Sequence, residues 1–264
     1  MEIMSPAETV EVLIEAWKLM VARFPGAKIE HSQSVATMFA HLPLSFLNLS
    51  APDRPLAAAP DLRAALAVIK DRAKSCKHES LVALCEPWAP PEWERIATDE
   101  GFTLALNMTG MATNQLLPPR RPLPELEFRR VADETTARDL AMINGHAYQM
   151  SLDLFECMCN LYLWQPDTFG YVGYATGKAV TCAAVLPVAG TVYVAFVATL
   201  PEAHGKGYAE AVMRHAIEQG RRALGLTRGA FTRMTLHASE MGRPVYRAMG
   251  FEIGPRIVLL RPPA

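Results

Sequence analysis

Two glycines flanking a lysine, set where an apolar run gives way to a helix-forming one, are the residues of this chain best placed to do chemistry. They lie in Val197-Ala198-Thr199-Leu200-Pro201-Glu202-Ala203-His204-Gly205-Lys206-Gly207-Tyr208-Ala209, which reads as a strand, a proline stop, a loop and a helix start. Glycines at that point let backbone N–H groups turn towards an anion, and the positive end of the helix dipole lies at the same place. A pyrophosphate suits such a cradle. Taken alone, Gly-Lys-Gly equally describes an ordinary loop that needs glycine torsions, so the elements around it must decide. A P-loop is excluded, because the Gly-x4-Gly-Lys-Ser/Thr spacing is missing.

Composition narrows the chemistry. The 264 residues are half apolar, enough for one large domain or two ordinary ones with substantial cores. With 26 basic against 27 acidic residues and no polybasic run, neither nucleic acid nor a membrane surface is an expected partner, and small molecules are. The five cysteines, Cys76, Cys85, Cys157, Cys159 and Cys182, are odd in number and lack metal-ligand spacing. No disulfide framework and no metal site are expected, and a reducing cytoplasm fits best. Met1 to Pro6 has no basic region before an apolar core, so no signal peptide is read. Two uncharged stretches, between Glu30 and Asp53 and between Lys178 and Glu202, reach membrane-spanning length. Their interior polar residues and prolines make each a better pair of buried strands.

The elements that must position the loop follow from periodicity. Helical spacing of apolar residues predicts a helix over Pro6 to Phe24, then strands near Ser34 to Ala40 and Ser45 to Ser50. A helix N-capped by Asp61 runs to about Cys76, a short strand covers Leu81 to Cys85, a helix starts at Pro90-Pro91-Glu92, and a strand covers Thr103 to Ala112. Four prolines in the eight residues Leu117 to Pro124 mark a linker. Beyond it come a strand at Leu126 to Val131, a helix at Asp133 to Tyr148 and a second, apolar helix at Leu152 to Trp164, whose face takes up Cys157 and Cys159. Strands at Phe169 to Ala175, Ala179 to Leu186 and Thr191 to Thr199 lead to the loop. The helix after it pairs Glu210 with Arg214 and Glu218 with Arg222 at i,i+4. A strand at Met234 to Ala238, a short helix at Gly242 to Met249 and a strand at Phe251 to Leu260 complete the chain. Each half ends in the same way, with a short helix, Gly-Phe (Gly101-Phe102, Gly250-Phe251) and a last strand, so the order implies an internal duplication.

The loop and the later run Leu236-His237-Ala238-Ser239-Glu240-Met241-Gly242-Arg243-Pro244-Val245-Tyr246-Arg247-Ala248-Met249-Gly250-Phe251 occur together within this element order. In that combination the chain resembles the GNAT superfamily of acyl-CoA-dependent N-acyltransferases, over roughly Leu126 to Ala264 in motif and over the first half in topology only. The resemblance implies an α/β (α+β) fold of two GNAT-like domains, each a mixed central sheet flanked by helices. The expected domains are a degenerate one at 1–116 without a cofactor loop, a linker at 117–125 and a catalytic one at 126–264. It implies that the backbone of Val197, Ala198 and Thr199 aligns pantetheine, and that N–H groups from His204, Gly205, Lys206, Gly207, Tyr208 and Ala209 hold the pyrophosphate of acetyl-CoA, the acyl donor. Ser239 stands where the family often has Asn; it also reads as a strand-end hydrogen-bonding residue.

Tyr246 lies where the family often places the acid that protonates the departing thiolate; a tyrosine packing the short helix is the other reading. The base is open among Glu156, Asp153, His146 and water, with Glu156 the first to test. In the first half the matching segment, Ser50 to Leu56, has two prolines, a carboxylate and no glycine, so it cannot cradle phosphate. That half is expected to bury a sheet edge and help wall the cleft. The expected function is acetyl transfer to the amine of a small-molecule acceptor by a monomer or homodimer. A non-catalytic acyl-CoA sensor or interaction module is the alternative.

Overall fold

The computed structural model describes residues 3–223 and 233–263, and the chain falls into two compact units. The first gathers residues 3–111, 237–243 and 252–263; the second gathers 112–223, 233–236 and 244–251. Residues 252–263, which the sequence reading places with the second half, therefore lie in the first unit. Each unit is a mixed sheet with helices.

In the first unit α1 (Pro6–Val21) is capped by Ser5, whose Oγ accepts from the Glu8 N–H at 3.1 Å. It buries Leu13, Trp17 and Met20. The strands β1 (Lys28–Ser32), β2 (Val35–Phe39) and β3 (Asn48–Pro52) pair antiparallel in succession. The exposed β1 was hidden in the sequence by its charges, while Gln33 and Ser34 turn the hairpin at φ 51° and 60°. The strand expected from Ser45 is instead a 3-10 turn, Ser45–Leu47, before β3. Asn48 fixes that entry: its side chain accepts from His41 N–H at 2.9 Å and donates to the Leu42 and Glu79 carbonyls.

The crossover helix α2 (Ala59–Ala73) starts two residues before the expected Asp61 cap. Pro60 has no N–H to lose in a first turn, so the helix begins at Ala59 with the proline in its first turn, and Asp61 contributes charge beside the dipole. It leads to β4 (Leu81–Cys85), parallel to β3. The buried Arg72 of α2 donates to the Val35 and Ser32 carbonyls and to the hydroxyls of Thr37 and Ser32, all at 2.6–2.9 Å, so one cation stitches helix to hairpin. After α3 (Trp93–Asp99) comes β5 (Thr103–Thr113).

In the second unit β6 (Glu127–Arg130), β7 (Phe169–Ala175), β8 (Lys178–Val188) and β9 (Thr191–Thr199) pair antiparallel in that order. The helix α4 (Glu134–Ala147) carries a capping box, in which Asp133 accepts from Thr136 N–H at 2.8 Å. The helix expected over Leu152 to Trp164 is instead a 3-10 segment, Leu152–Met158, followed by bends. Side chains there compete for the carbonyls an α-helix would use. The Cys157 thiol donates to Leu154 O, and Asn160 Nδ2 donates to Cys157 O while its Oδ1 accepts from Tyr162 N–H. The helix α5 (Tyr208–Ala223) forms the expected Glu210–Arg214 and Glu218–Arg222 pairs and crosses over to β10 (Met234–Ser239), parallel to β9.

The short α6 (Arg243–Ala248) precedes β11 (Glu252–Arg261), which pairs antiparallel with β4 inside the first unit and puts Val258 and Leu260 into its core. The two Gly-Phe corners have the same hydrogen bonding. Phe102 N–H donates to Ala97 O at 2.9 Å and Phe251 N–H to Tyr246 O at 3.0 Å, after Gly101 at φ 84° and Gly250 at φ 98°. All five cysteines are free thiols. Among the described residues no helix is long and apolar enough to cross a membrane.

His237 of β10 and Thr9 of α1 both belong to the first unit, and the imidazole Nε2–H donates to the Thr9 carbonyl at 3.2 Å. Burial lowers its pKa from 6.5 to about 4. Below pH 6.5 the unfolded chain therefore takes up a proton that the folded one refuses, so stability falls as pH drops from 6.5 towards 4. Urea titrations at pH 7 and pH 4.5 should show wild type losing about 2 kcal/mol more than His237→Gln over that interval; equal losses would assign the acid sensitivity elsewhere.

Candidate functional site

The site is built where β9 leaves the sheet. Along most of its length β9 pairs residue for residue with β8, but the register shifts between Cys182 and Ala184: Cys182 faces Ala198 and Ala184 faces Ala195. Phe196 and Val197 thus oppose the single residue Ala183, which is a β-bulge. Phe196 sits at φ 52°, a region that costs a bulky L-residue about 1 kcal/mol or more. Its carbonyl is held from below: the Cys182 thiol donates to Phe196 O at 3.3 Å and accepts from Asn144 Nδ2 at 3.2 Å. Before the bulge, the parallel register of β9 with β10 consists of Val192 with Met234 and Tyr193 with Thr235. The run Ala195 to Val197 is only half-buried, so the burial expected for this strand fails towards its far end.

After β9 the chain makes a 3-10 turn, Pro201–Ala203, and enters the glycine loop. Gly205 and Gly207 have φ 75° and 81°, and no atom lies within 4 Å of where a Cβ on Gly205 would stand. What Gly205 supplies is torsion, since space is already there. The six backbone N–H groups from Gly205 to Glu210 have no acceptor among the described residues; the first α5 bond beyond them is Ala211 N–H to Gly207 O at 3.1 Å. They stand at the positive end of a 16-residue helix. Glu202, whose carboxylate would oppose an anion, is paired with Lys178 at 2.9 Å. Lys206 lies 5.9 Å from the Tyr208 ring centroid. His204 folds back instead of facing outward: its Nε2–H donates to Thr199 O at 2.9 Å, which engages one of the carbonyls expected to meet pantetheine.

Tyr246 is buried on α6, edge-on to Phe251 with ring centroids 6.2 Å apart. Burial, then the nearby phenols of Tyr148 and Tyr193, push its pKa well above the ordinary range. Tyr193 is raised by burial and by Tyr148, and Tyr148 is raised too, burial coming first although the residue as a whole is 47 % exposed. Three tyrosines thus converge near the end of α4, on β9 and on α6. Only Tyr246 was singled out in the sequence. Glu156 and Asp153 lie exposed on the 3-10 segment, with Glu156 close enough to Cys159 to help raise that thiol's pKa. His146 lies near Glu202, whose carboxylate it helps stabilise. Ser239, in the first unit, closes the end of β10: Gly242 N–H lies 3.1 Å from its carbonyl and 3.3 Å from its Oγ.

Sequence reasoning missed the bulge, the Asn144–Cys182 support and Arg121, whose Nη2 donates to Gly205 O at 2.9 Å. The matching segment of the first unit offers no such run of donors. There Asp53 N–H goes to Ser34 O at 3.1 Å, Leu56 N–H goes to Trp88 O at 2.7 Å, and Pro52 and Pro55 have none to offer.

Residues 140–251 match the model of the acetyltransferase (GNAT) family, and the mixed α/β architecture is that of GNAT proteins. A GCN5-related N-acetyltransferase from Kribbella flavida superposes with a TM-score of 0.69 at 19 % identity, covering 96 % of each chain. A functionally unknown conserved protein from Staphylococcus epidermidis gives a TM-score of 0.64 at 12 % identity, covering 91 % of this chain and 96 % of its own. A tandem GNAT protein from the clavulanic acid biosynthesis pathway gives 0.54 at 14 % identity, covering 96 % and 94 %. No curated protein matches the sequence.

Substitutions at Phe196 separate torsion from burial. A left-handed φ favours glycine, is adverse for alanine and worse for a β-branched residue. In urea titrations stability should fall in the order Phe196→Gly, Phe196→Ala, Phe196→Val, with roughly 1–2 kcal/mol between the extremes. Apolar burial alone would give the reverse order.

Proposed function

We propose that this chain is an N-acetyltransferase that moves the acetyl group of acetyl-CoA to the amine of a small-molecule acceptor by direct attack in a ternary complex. The observation that carries the reading is the run of six unpartnered N–H groups from Gly205 to Glu210 at the start of α5. A diphosphate is doubly charged, compact and rich in acceptors, and such a run satisfies it without any cationic side chain. The pantetheine arm then follows β9 back towards the bulge. With Thr199 O engaged by His204, Val197 is the main-chain partner this reading retains there.

The chemistry needs three things of the protein. The thioester carbonyl must be polarised, which main-chain N–H groups at an irregular strand can do. The amine must lose a proton, a role this reading gives to Glu156. As the amine nitrogen bonds to the carbonyl carbon the C–S bond breaks, and the departing thiolate needs a proton, which Tyr246 supplies and recovers from solvent. Burial suits Tyr246 to that step, because a phenol with a raised pKa stays protonated throughout the physiological range. No covalent acyl-enzyme is needed, and the raised pKa of Cys182 makes that thiol a poor nucleophile.

The test is a thiol-release assay with acetyl-CoA against a panel of small amines. Wild type should turn over at least one amine. Tyr246→Phe should lower kcat about 100-fold and leave the calorimetric Kd for CoA within a factor of about 3. No falling limb of kcat due to Tyr246 should appear below about pH 10. Unchanged kcat in Tyr246→Phe would remove the acid assignment. CoA binding with no turnover on any amine would favour a non-catalytic acyl-CoA sensor.

A further inference from the structure

The proline-rich segment 117–125 reads as a spacer, but it lies bound along the second unit. Leu117 N–H donates to Met249 O at 2.9 Å and Leu117 O accepts from Arg214 Nη2 at 2.6 Å. Four residues on, Arg121 Nη2 donates to Gly205 O at 2.9 Å. A Cβ on Gly207 would stand 3.6 Å from Pro124 Cδ and 3.7 Å from Arg121 Nη2, so the segment runs directly beside the glycine loop. Prolines at 118, 119, 122 and 124 stiffen the segment and lessen the entropy lost when Arg121 is held there.

That bond fixes the orientation of one peptide. A trans peptide is planar, so its C=O and the following N–H point in opposite directions. Holding Gly205 O against the guanidinium therefore turns the Lys206 N–H to the side away from Arg121. Nothing steric would hold that peptide otherwise, because Gly205 has open space around it and glycine exchanges torsions at little cost. A flipped peptide would present a carbonyl oxygen where the cradle offers a donor, and the negative end of that dipole would then face a phosphate. Lys206 is one of the six unpartnered donors, so the consequence falls on the anion site itself. The exposed guanidinium also leaves a positive charge within a Debye length of the loop.

We propose that Arg121, from the proline-rich segment, is a positioning residue for the donor's diphosphate: it locks the Gly205–Lys206 peptide with its N–H towards the anion. The inference rests on the acetyl-CoA reading above. It predicts an effect tied to the diphosphate and absent from the rest of the donor.

Calorimetric titrations of the full chain with CoA, 3′-dephospho-CoA and pantetheine test it, on wild type, Arg121→Ala and Arg121→Lys. Arg121→Ala should weaken CoA and 3′-dephospho-CoA alike, about tenfold, and leave pantetheine unchanged. Arg121→Lys should recover most of the loss, since an ammonium can still donate to Gly205 O. Where an acceptor is in hand, KM for acetyl-CoA should rise with kcat within a factor of about 2. Unchanged CoA affinity in Arg121→Ala, or an equal loss with pantetheine, overturns the proposal. A loss confined to CoA and absent with 3′-dephospho-CoA also overturns it, by placing Arg121 on the 3′-phosphate. If wild type binds none of the three, the acetyl-CoA reading fails, a separate outcome.

Discussion

A peptide N–H without an acceptor must stay where water or a ligand can reach it, and the second unit gathers six of them in consecutive residues, Gly205 to Glu210. Much of the surrounding structure follows from keeping that run open and correctly turned. Positive torsions at Gly205 and Gly207 wind the chain so that successive donors do not close on their own carbonyls. A 16-residue helix behind them sums its dipoles at the same point. The carboxylate at Glu202 is matched by Lys178, and the His204 ring is turned back to Thr199 O. A bulged strand delivers the chain to this turn with Phe196 at an adverse torsion.

The first unit shows what the same plan becomes without that constraint. Its hairpins, parallel crossover and Gly-Phe corner repeat those of the second, down to the bond from Phe102 N–H to Ala97 O. At the corresponding loop, though, prolines remove two donors and Ser34 and Trp88 accept two more. Asp53 is paired with His31 there. No run of consecutive free donors is left at that loop.

Much of this was legible in the sequence, for reasons that differ by residue. Glycine announces positive φ, so Gly205, Gly207, Gly101 and Gly250 were readable as turning points. The apolar period beginning at Asp133 announced a helix, and the i,i+4 spacing of Glu210 and Arg214 announced their ion pair. The bulge at Phe196 was not readable, because it arises from the register between two strands and lies in an unbroken apolar run. Residues 152–164 were misread because apolar spacing ignores local competition, here from Cys157 and Asn160, for main-chain acceptors. Arg121 was overlooked because proline content signals a spacer and says nothing of what the stiff segment rests on.

The pairing of β11 with β4 sets the order in which the chain can be completed. Ile257 stands opposite Cys85 and Leu260 opposite Val82, contacts separated by more than half the chain. A polypeptide emerging from the ribosome presents the hairpins, α2 and β4 of the first unit early, but its sheet lacks an inner strand until β11 is made. The second unit, whose sheet is built from sequential neighbours, can close first. Although the first unit leads in the chain, its sheet is complete only once β11 has been made, and its β4 edge must be kept from other partners until then.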